Sequence, residues 1–337
     1  MKLKGFILFT FLLFLESEAQ VMFKSSTKML GSPLEVTVVA KDSLQAESFV
    51  QMAFSEVSRI ENLISDWIPT TPISLVNQNA GIKAVQVPKE VYKLVERAIK
   101  ISVLTQGAFD ISYASMDKIW KFDGTMKVMP TPDEIKKSVA RVGYQKIVLN
   151  KDQNTIFLPE KGMKLGLGGI GQGYIADQVK ALLVSKGCKS GIINVSGDIF
   201  AWGKQPSDEP WTVAIVNPVN KNKVFAIFPL ENSAVETSGN YEKYVTFDGK
   251  RYSHIIDPRT GYPASGLVSV SVFAQTTEIA DALATGVFVL GVEVGLDLIN
   301  QLKGIECILV DDTGKVHGSK GIDFTKFNST KNESKSN

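Results

Sequence analysis

The chain has 337 residues, enough for one large domain or two modest ones, and a chain of that length buries enough apolar surface to fold without disulfide or metal staples. Hydrophobic residues make up 44% and charged residues 21%, the balance of an ordinary globular protein. With 37 basic residues against 35 acidic ones and no basic block, the charge pattern excludes nucleic acid as the main partner.

At the N-terminus, Lys2 and Lys4 precede an apolar run from Gly5 to Leu15, and Ser17 and Ala19 stand at small-residue spacing before Gln20. That order reads as a secretory signal peptide over residues 1–19, with a retained anchor as the alternative. The run is short for a bilayer span. The expected mature chain starts near Gln20 and works outside the cytoplasm, in the periplasm or against the inner membrane.

Leu34 to Ala40 is β-branched and alternating and reads as a strand. Ser43 to Trp67 reads as a long amphipathic helix, with Phe49, Met52, Ala53, Val57, Ile60 and Ile64 at helical spacing. Ile68 to Gly81, rich in Pro, Thr and Asn, reads as a loop. A helix is expected from Pro88 to about Thr105, then a turn over Gly107 to Ser112, then a short helix from Thr131 to Arg141 capped by Thr131. Strands follow at Lys146–Leu149 and Thr155–Leu158. A glycine-rich loop, Gly166 to Gly173, leads into a helix from Tyr174 to Lys186. Gly191 to Trp202 reads as one strand interrupted at Ser196-Gly197-Asp198. Short strands are expected at Trp211–Val216, Val224–Pro229, Ser233–Thr237, Tyr244–Thr246, Tyr252–Ile256 and Leu267–Ala274. Helices from Thr277 to Leu290 and from Val292 to Gln301 precede a last strand, Ile305–Val310, and a polar tail from Thr325 reads as disordered. Early helices, later hairpins and no βαβ alternation predict a single α+β domain over residues 20–324, with mostly antiparallel sheets and packed helices.

Three stretches carry chemistry. Gly166-Leu167-Gly168-Gly169-Ile170-Gly171-Gln172-Gly173 opens a helix, so backbone N–H groups and the positive helix end can meet a phosphate. The plainer reading is a tight turn with close helix packing. The literal G-x-G-x-x-G match lacks both a βαβ setting and the acidic residue expected about 20 residues on, which disfavours a nicotinamide enzyme. In Ala280 to Gly286, Asp281 and Thr285 are four apart on one helix face and offer hard oxygen donors suited to Mg²⁺; the alternative is an Asp capping a nearby turn. His254 precedes an Asp257-Pro258-Arg259-Thr260-Gly261 turn, where it serves either as a general base or structurally, and Asp257 serves the turn itself. The other histidine, His317, reads as a solvated loop residue. Cys188 and Cys307 lie among β-type residues and either pair or stand as two buried thiols, and no Cys/His cluster has zinc or haem spacing.

These stretches, with Gly31-Ser32-Pro33, Ser65-Asp66-Trp67, Ala108-Phe109-Asp110, Asn194 to Asp198 and Thr237-Ser238-Gly239, resemble the successive motifs of the ApbE-type FAD:protein FMN transferases. The resemblance runs from about Leu30 to Gly321, and Ser-His-Ile-Ile-Asp-Pro-Arg-Thr-Gly and Ala-Asp-Ala-Leu-Ala-Thr are its most specific runs. It implies a T-fold-like domain with FAD as substrate in a cleft between its halves. It implies Mg²⁺ on the carbonyls of Gly169 and Ala284 and the side chains of Asp281 and Thr285. FAD contacts are implied near Leu30, Trp67, Phe109, Asp110, Ile111, Gly166, Gln172 and Ile255, with His254 and Asp281 as the catalytic side chains. The implied acceptor is a Ser/Thr hydroxyl of a partner protein, a flavin-carrying subunit of a membrane redox complex. With water in place of that hydroxyl, the same site would be an FAD pyrophosphatase; a flavin-binding module without turnover is a further alternative, disfavoured by the Asp281/Thr285 pair. The sequence departs from the family where Gly166 replaces a common acidic residue, Gln172 a common Lys or Glu, and Leu30 a common Met.

Overall fold

A computed structural model describes residues 20–216, 224–240 and 244–324. Residues 1–19, expected to form a signal peptide, and the expected disordered tail at 325–337 lie outside the described residues. In chain order the elements are β1 (Val21–Met29), β2 (Ser32–Ala40), α1 (Ser43–Ile64), α2 (Pro72–Gln78), β3 (Val85–Gln86), α3 (Lys89–Leu104), a 3₁₀ turn (Ile111–Ser115), α4 (Pro132–Ser138), β4 (Val148–Asn150), β5 (Thr155–Phe157) and α5 (Gly171–Ser185). There follow β6 (Ser190–Val195), β7 (Asp198–Trp202), β8 (Trp211–Val216), β9 (Val224–Leu230), β10 (Ser233–Gly239), β11 (Tyr244–Phe247), β12 (Lys250–Ser253), β13 (Leu267–Ala274), α6 (Thr277–Gln301), β14 (Glu306–Asp311) and β15 (Val316–Gly318).

Eight strands form one antiparallel sheet in the order β1-β2-β6-β7-β10-β13-β14-β15. Helices α1, α5 and α6 lie side by side on one face of it, α1 against β1 and β2, α5 against β6 and β7, α6 against β10 and β13. The β8–β9 hairpin covers the other face, where Trp211, Val213 and Leu230 meet Val39, Ala201 and Val235. Both faces of β2 are thus covered, and Val36 to Ala40 is buried at every position. A strand covered on both sides has no polar face to alternate, which explains the unbroken run. The result is the α+β domain expected, with mostly antiparallel sheets and packed helices.

Local departures have local causes. Helix α1 starts where the Asp42 side chain accepts the Gln45 N–H at 2.7 Å, but ends at Ile64, so Ser65-Asp66-Trp67 forms a loop. The stretch 68–81 contains a helix: Thr71 Oγ1 accepts the Ser74 N–H at 3.1 Å and Pro72 occupies the first turn. The same Thr-Pro start builds α4, which carries a full capping box between Thr131 and Glu134 but stops at Ser138. Gly191 to Trp202 is a hairpin of two strands, β6 and β7, turning at Ser196 and Gly197 with φ of 60° and 113°. Helix α5 begins inside the glycine loop, at Gly171. At the end of the chain, α6 is broken at Gly291, whose φ of 80° and ψ of −176° no helix accommodates, so it consists of the two helical segments its sequence suggests. Strands β1 and β15 are additions, and His317 lies in β15, half-buried and 2.8 Å from Asp311 Oδ2 rather than in a solvated loop. Cys188 and Cys307 are separate buried thiols, each pushed up by burial.

Candidate active site

The first turn of α6 packs against the first turn of α5. Gly173 donates its N–H to Asp281 Oδ2 at 3.1 Å, and a β-carbon at 173 would lie 2.3 Å from the Thr277 carbonyl oxygen. Only glycine allows that approach. Asp177, one turn along α5, accepts the N–H groups of Thr277 and Glu278, both at 2.9 Å. The α6 N-cap residue, Thr276, makes no side-chain cap bond, so a carboxylate 100 residues away in sequence caps the helix instead. Arg97 from α3 grips Glu278 through Nε at 2.5 Å and through its terminal nitrogen at 2.8 Å. These bonds fix the turn on which Asp281 and Thr285 stand.

Asp281 is 5% exposed. Burial, followed by the nearby carboxylates of Glu278 and Asp177, pushes its carboxyl up to about 7 against the Gly173 hydrogen bond. Thr285 Oγ1 lies 3.2 Å from where a β-carbon on Gly169 would stand, so the glycine turn and the α6 face meet at one point. This point is the floor of a cavity of about 510 Å³ lined by Gly168, Gly169, Gln172, Asp281, Thr285 and His254, among others. Two side chains not singled out above enter the same cavity. Asp198, 3% exposed, and Glu236, 8% exposed, each keep one carboxylate oxygen, Oδ1 and Oε2, with no hydrogen-bond partner among the described residues. Burial and the Asp281 charge hold both well above the usual carboxylate range. The hint of them in the sequence is an acidic residue opening or interrupting an apolar strand, Asp198-Ile-Phe-Ala-Trp and Ala-Val-Glu236-Thr.

Two further cavities join the first at Gly168. One, of about 500 Å³, is apolar and lined by Phe109, Ile111, Tyr113, Trp120, Phe122 and Ile255, with Gly166, His254 and Thr285 at its edge. The other, of about 540 Å³, is lined by Leu30, Trp67, Ile175 and Gln172. Leu30 and Gly31, with φ of 57° and 70°, make the β1–β2 turn, and Trp67 is 81% exposed with the Lys118 ammonium 5.2 Å from its ring centroid. Of the thirteen residues expected at the site, twelve line one of these three cavities; Ala284 alone does not, being packed in the core.

Asp110, besides lining the apolar cavity, has a structural role. Its Oδ1 accepts from Ser112 N and Oγ, both at 2.7 Å, and its Oδ2 from Tyr144 N at 2.8 Å, so the carboxylate is spent on shaping the loop that carries Phe109 and Ile111. His254 stands just beyond the end of β12, exposed at the edge of two cavities, with its ring edge-on to Phe122 at 6.5 Å. Its loop is tied by hydrogen bonds: Arg259 donates its N–H and guanidinium to Asp257, and Trp120 donates Nε1–H to the Gly261 carbonyl at 2.9 Å.

The donor set suits a hard cation. Among the described residues no three His, Cys, Asp or Glu side chains converge as metal ligands. A magnesium ion would rest on one carboxylate, one hydroxyl and backbone carbonyls, which is oxygen ligation throughout. Asp281, pushed up by burial and like charge, is the side chain that such a cation would return to its ionised form.

A glycine turn, a hard-oxygen pair and an adjoining apolar cavity thus meet at one place in an α+β domain. The ApbE family model matches residues 30–309, and the chain belongs to the ApbE family. It is 30% identical over 310 residues to the FAD:protein FMN transferase of Treponema pallidum, covering 87% of this chain and 86% of that one. It is 30% identical over 319 residues to that of Haemophilus influenzae, covering 91% of each. Among solved structures it resembles the ApbE protein of Thermotoga maritima (TM-score 0.81, 27% identity, 91% of this chain and 99% of the other). The flavin transferase ApbE of Vibrio cholerae is similar too, with a TM-score of 0.80 at 26% identity and the same coverage of both chains.

Proposed function

We propose that the protein splits FAD and transfers the FMN half to a Ser or Thr hydroxyl of an exported partner protein, releasing AMP. The observation that carries this reading is the acidic cavity at the Asp281–Thr285 floor. Its described lining brings three buried carboxyls together beside the Thr285 hydroxyl, a setting in which a divalent cation would offset the charge of an incoming pyrophosphate. The relatives' own activity, as their names give it, supplies the substrate.

Asp281, Thr285 Oγ1 and the carbonyl of Gly169 would hold magnesium. Bound there, it would neutralise charge on the pyrophosphate, the main requirement of phosphoryl transfer. The glycine turn offers backbone N–H groups to the phosphate oxygens. The apolar cavity beside Phe109 and Ile255 takes the flavin ring, and the Leu30–Trp67 cavity the adenosine half. His254, at the edge between the acidic and apolar cavities, accepts the proton of the incoming hydroxyl. The hydroxyl oxygen bonds to the phosphorus on the FMN side. The bond from that phosphorus to the bridging oxygen breaks, and its electron pair leaves with AMP.

Chromatography of FAD incubated with the protein, an acceptor domain and Mg²⁺ tests this. AMP release that depends on magnesium and vanishes in Asp281→Ala supports the reading; FAD intact under all conditions overturns it.

A further inference from the structure

Gly166 opens the glycine-rich turn, and a neighbouring side chain fills the space beside it. A β-carbon at 166 would meet Ala114 Cβ at 2.9 Å and the Tyr113 ring at 3.1 and 3.2 Å. Tyr113 therefore occupies the room of a side chain at 166. Its hydroxyl oxygen reaches further along the turn, to 3.0 Å from the position of a β-carbon on Gly168, so phenol and glycine turn are in direct contact there. Gly168 is the residue common to all three cavities. Tyr113 is 42% exposed, so part of it faces open space in the apolar cavity. Desolvation, then the charges of Asp66 and Asp281, pushes the phenol up to about 12, so the hydroxyl keeps its proton at working pH and remains a hydrogen-bond donor.

We propose that Tyr113 is a substrate-binding residue, whose hydroxyl donates a hydrogen bond to the pyrophosphate link of the dinucleotide where it crosses Gly168. A phosphate oxygen arriving at the turn meets the Gly168 backbone and the phenol together, and the phenol hydroxyl is free to rotate and donate its proton to that oxygen. A neutral donor suits this place better than a carboxylate, because the neighbouring cavity already holds Asp198, Glu236 and Asp281. Glycine at 166 and tyrosine at 113 are then two halves of one arrangement.

The inference rests on the proposed FAD chemistry and is separable from it by binding. Tyr113→Phe keeps the ring that packs on Gly166 and removes only the hydroxyl. Dissociation constants for FAD and for riboflavin, which lacks the pyrophosphate, are measured by flavin fluorescence on wild type and variant, together with Tm and the KM for FAD. One lost hydrogen bond to a charged group predicts FAD affinity lower by about tenfold or more, with KM rising in step. Riboflavin affinity and Tm stay as in wild type. Equal FAD affinity in wild type and Tyr113→Phe overturns the inference alone, and so does an equal loss for riboflavin, which would move the contact to the flavin ring. A wild-type protein that binds no FAD overturns the functional reading itself.

Discussion

Gly173 and Asp281 are joined across 108 residues of sequence by a backbone N–H to carboxylate hydrogen bond of 3.1 Å, at a helix contact that excludes even a methyl group. That contact sets where the carboxylate stands. Gly173→Ala should force α5 and α6 apart. Overpacking of this kind costs about 1–3 kcal/mol. The expected result is a lower Tm together with loss of magnesium-dependent FAD cleavage; activity at wild-type level would show that the approach is not needed.

Asp177 holds the other end of the same turn. Asp177→Ala uncovers two N–H groups at the start of α6, and a lost cap costs about 1–2 kcal/mol. Chemical denaturation should show that loss. Magnesium affinity should fall as well, because the turn carrying Asp281 is released, whereas Asp177→Asn, which retains one acceptor oxygen, should recover part of both.

Stability of the metal-free protein should depend on pH through Asp281. Its carboxyl moves from 3.8 to about 7 on folding, so the fold favours the neutral form. Below 3.8 the group is protonated in both states and costs nothing. As pH rises toward 7 the unfolded chain releases its proton first, and stability falls through that window. Asp281→Asn should therefore match wild type in Tm near pH 4 and exceed it by about 2 °C or more at pH 8. Magnesium should close the gap by raising wild type alone. A difference of the same size at both pH values would remove the carboxyl as its source.

His254→Ala should slow FMN transfer by about 10²–10⁴, the range for a lost general base, and leave FAD affinity unchanged. Rates and dissociation constants measured on the same preparation decide this. An unchanged transfer rate removes His254 as the base.

Much of this architecture is legible in the chain, and the exceptions share a cause. Helix α1 announces itself through apolar spacing, α3 through Pro88 at its start, α5 through the glycine loop before it, α4 through its Thr131 cap, and the break at Gly291 through a glycine between two apolar runs. Helix α2 is hidden because its start, Thr71-Pro72, sits among residues that also build loops. The cavity positions follow from local motifs, since Gly166 to Gly173, the His254 turn and Asp281 to Thr285 each form one continuous stretch. What is not legible is long-range. Asp177 caps a helix 100 residues on, Asp198 and Glu236 become buried neighbours of Asp281 only when β7 and β10 pair, and Tyr113 looks like a loop aromatic until it lies on Gly166. Asp110 stands in a site motif and lines the apolar cavity, and only the structure shows that its oxygens also hold the loop together.

The most direct test of the central claim is the intact mass of a Thr-containing acceptor domain after incubation with the mature protein, FAD and Mg²⁺. A gain of one FMN residue on the threonine, absent with Asp281→Ala and absent with EDTA, is the predicted result. FMN and AMP released with the acceptor unlabelled would make the protein a hydrolase and contradict transfer; an acceptor labelled equally well by the Asp281→Ala variant would contradict the assignment of the site.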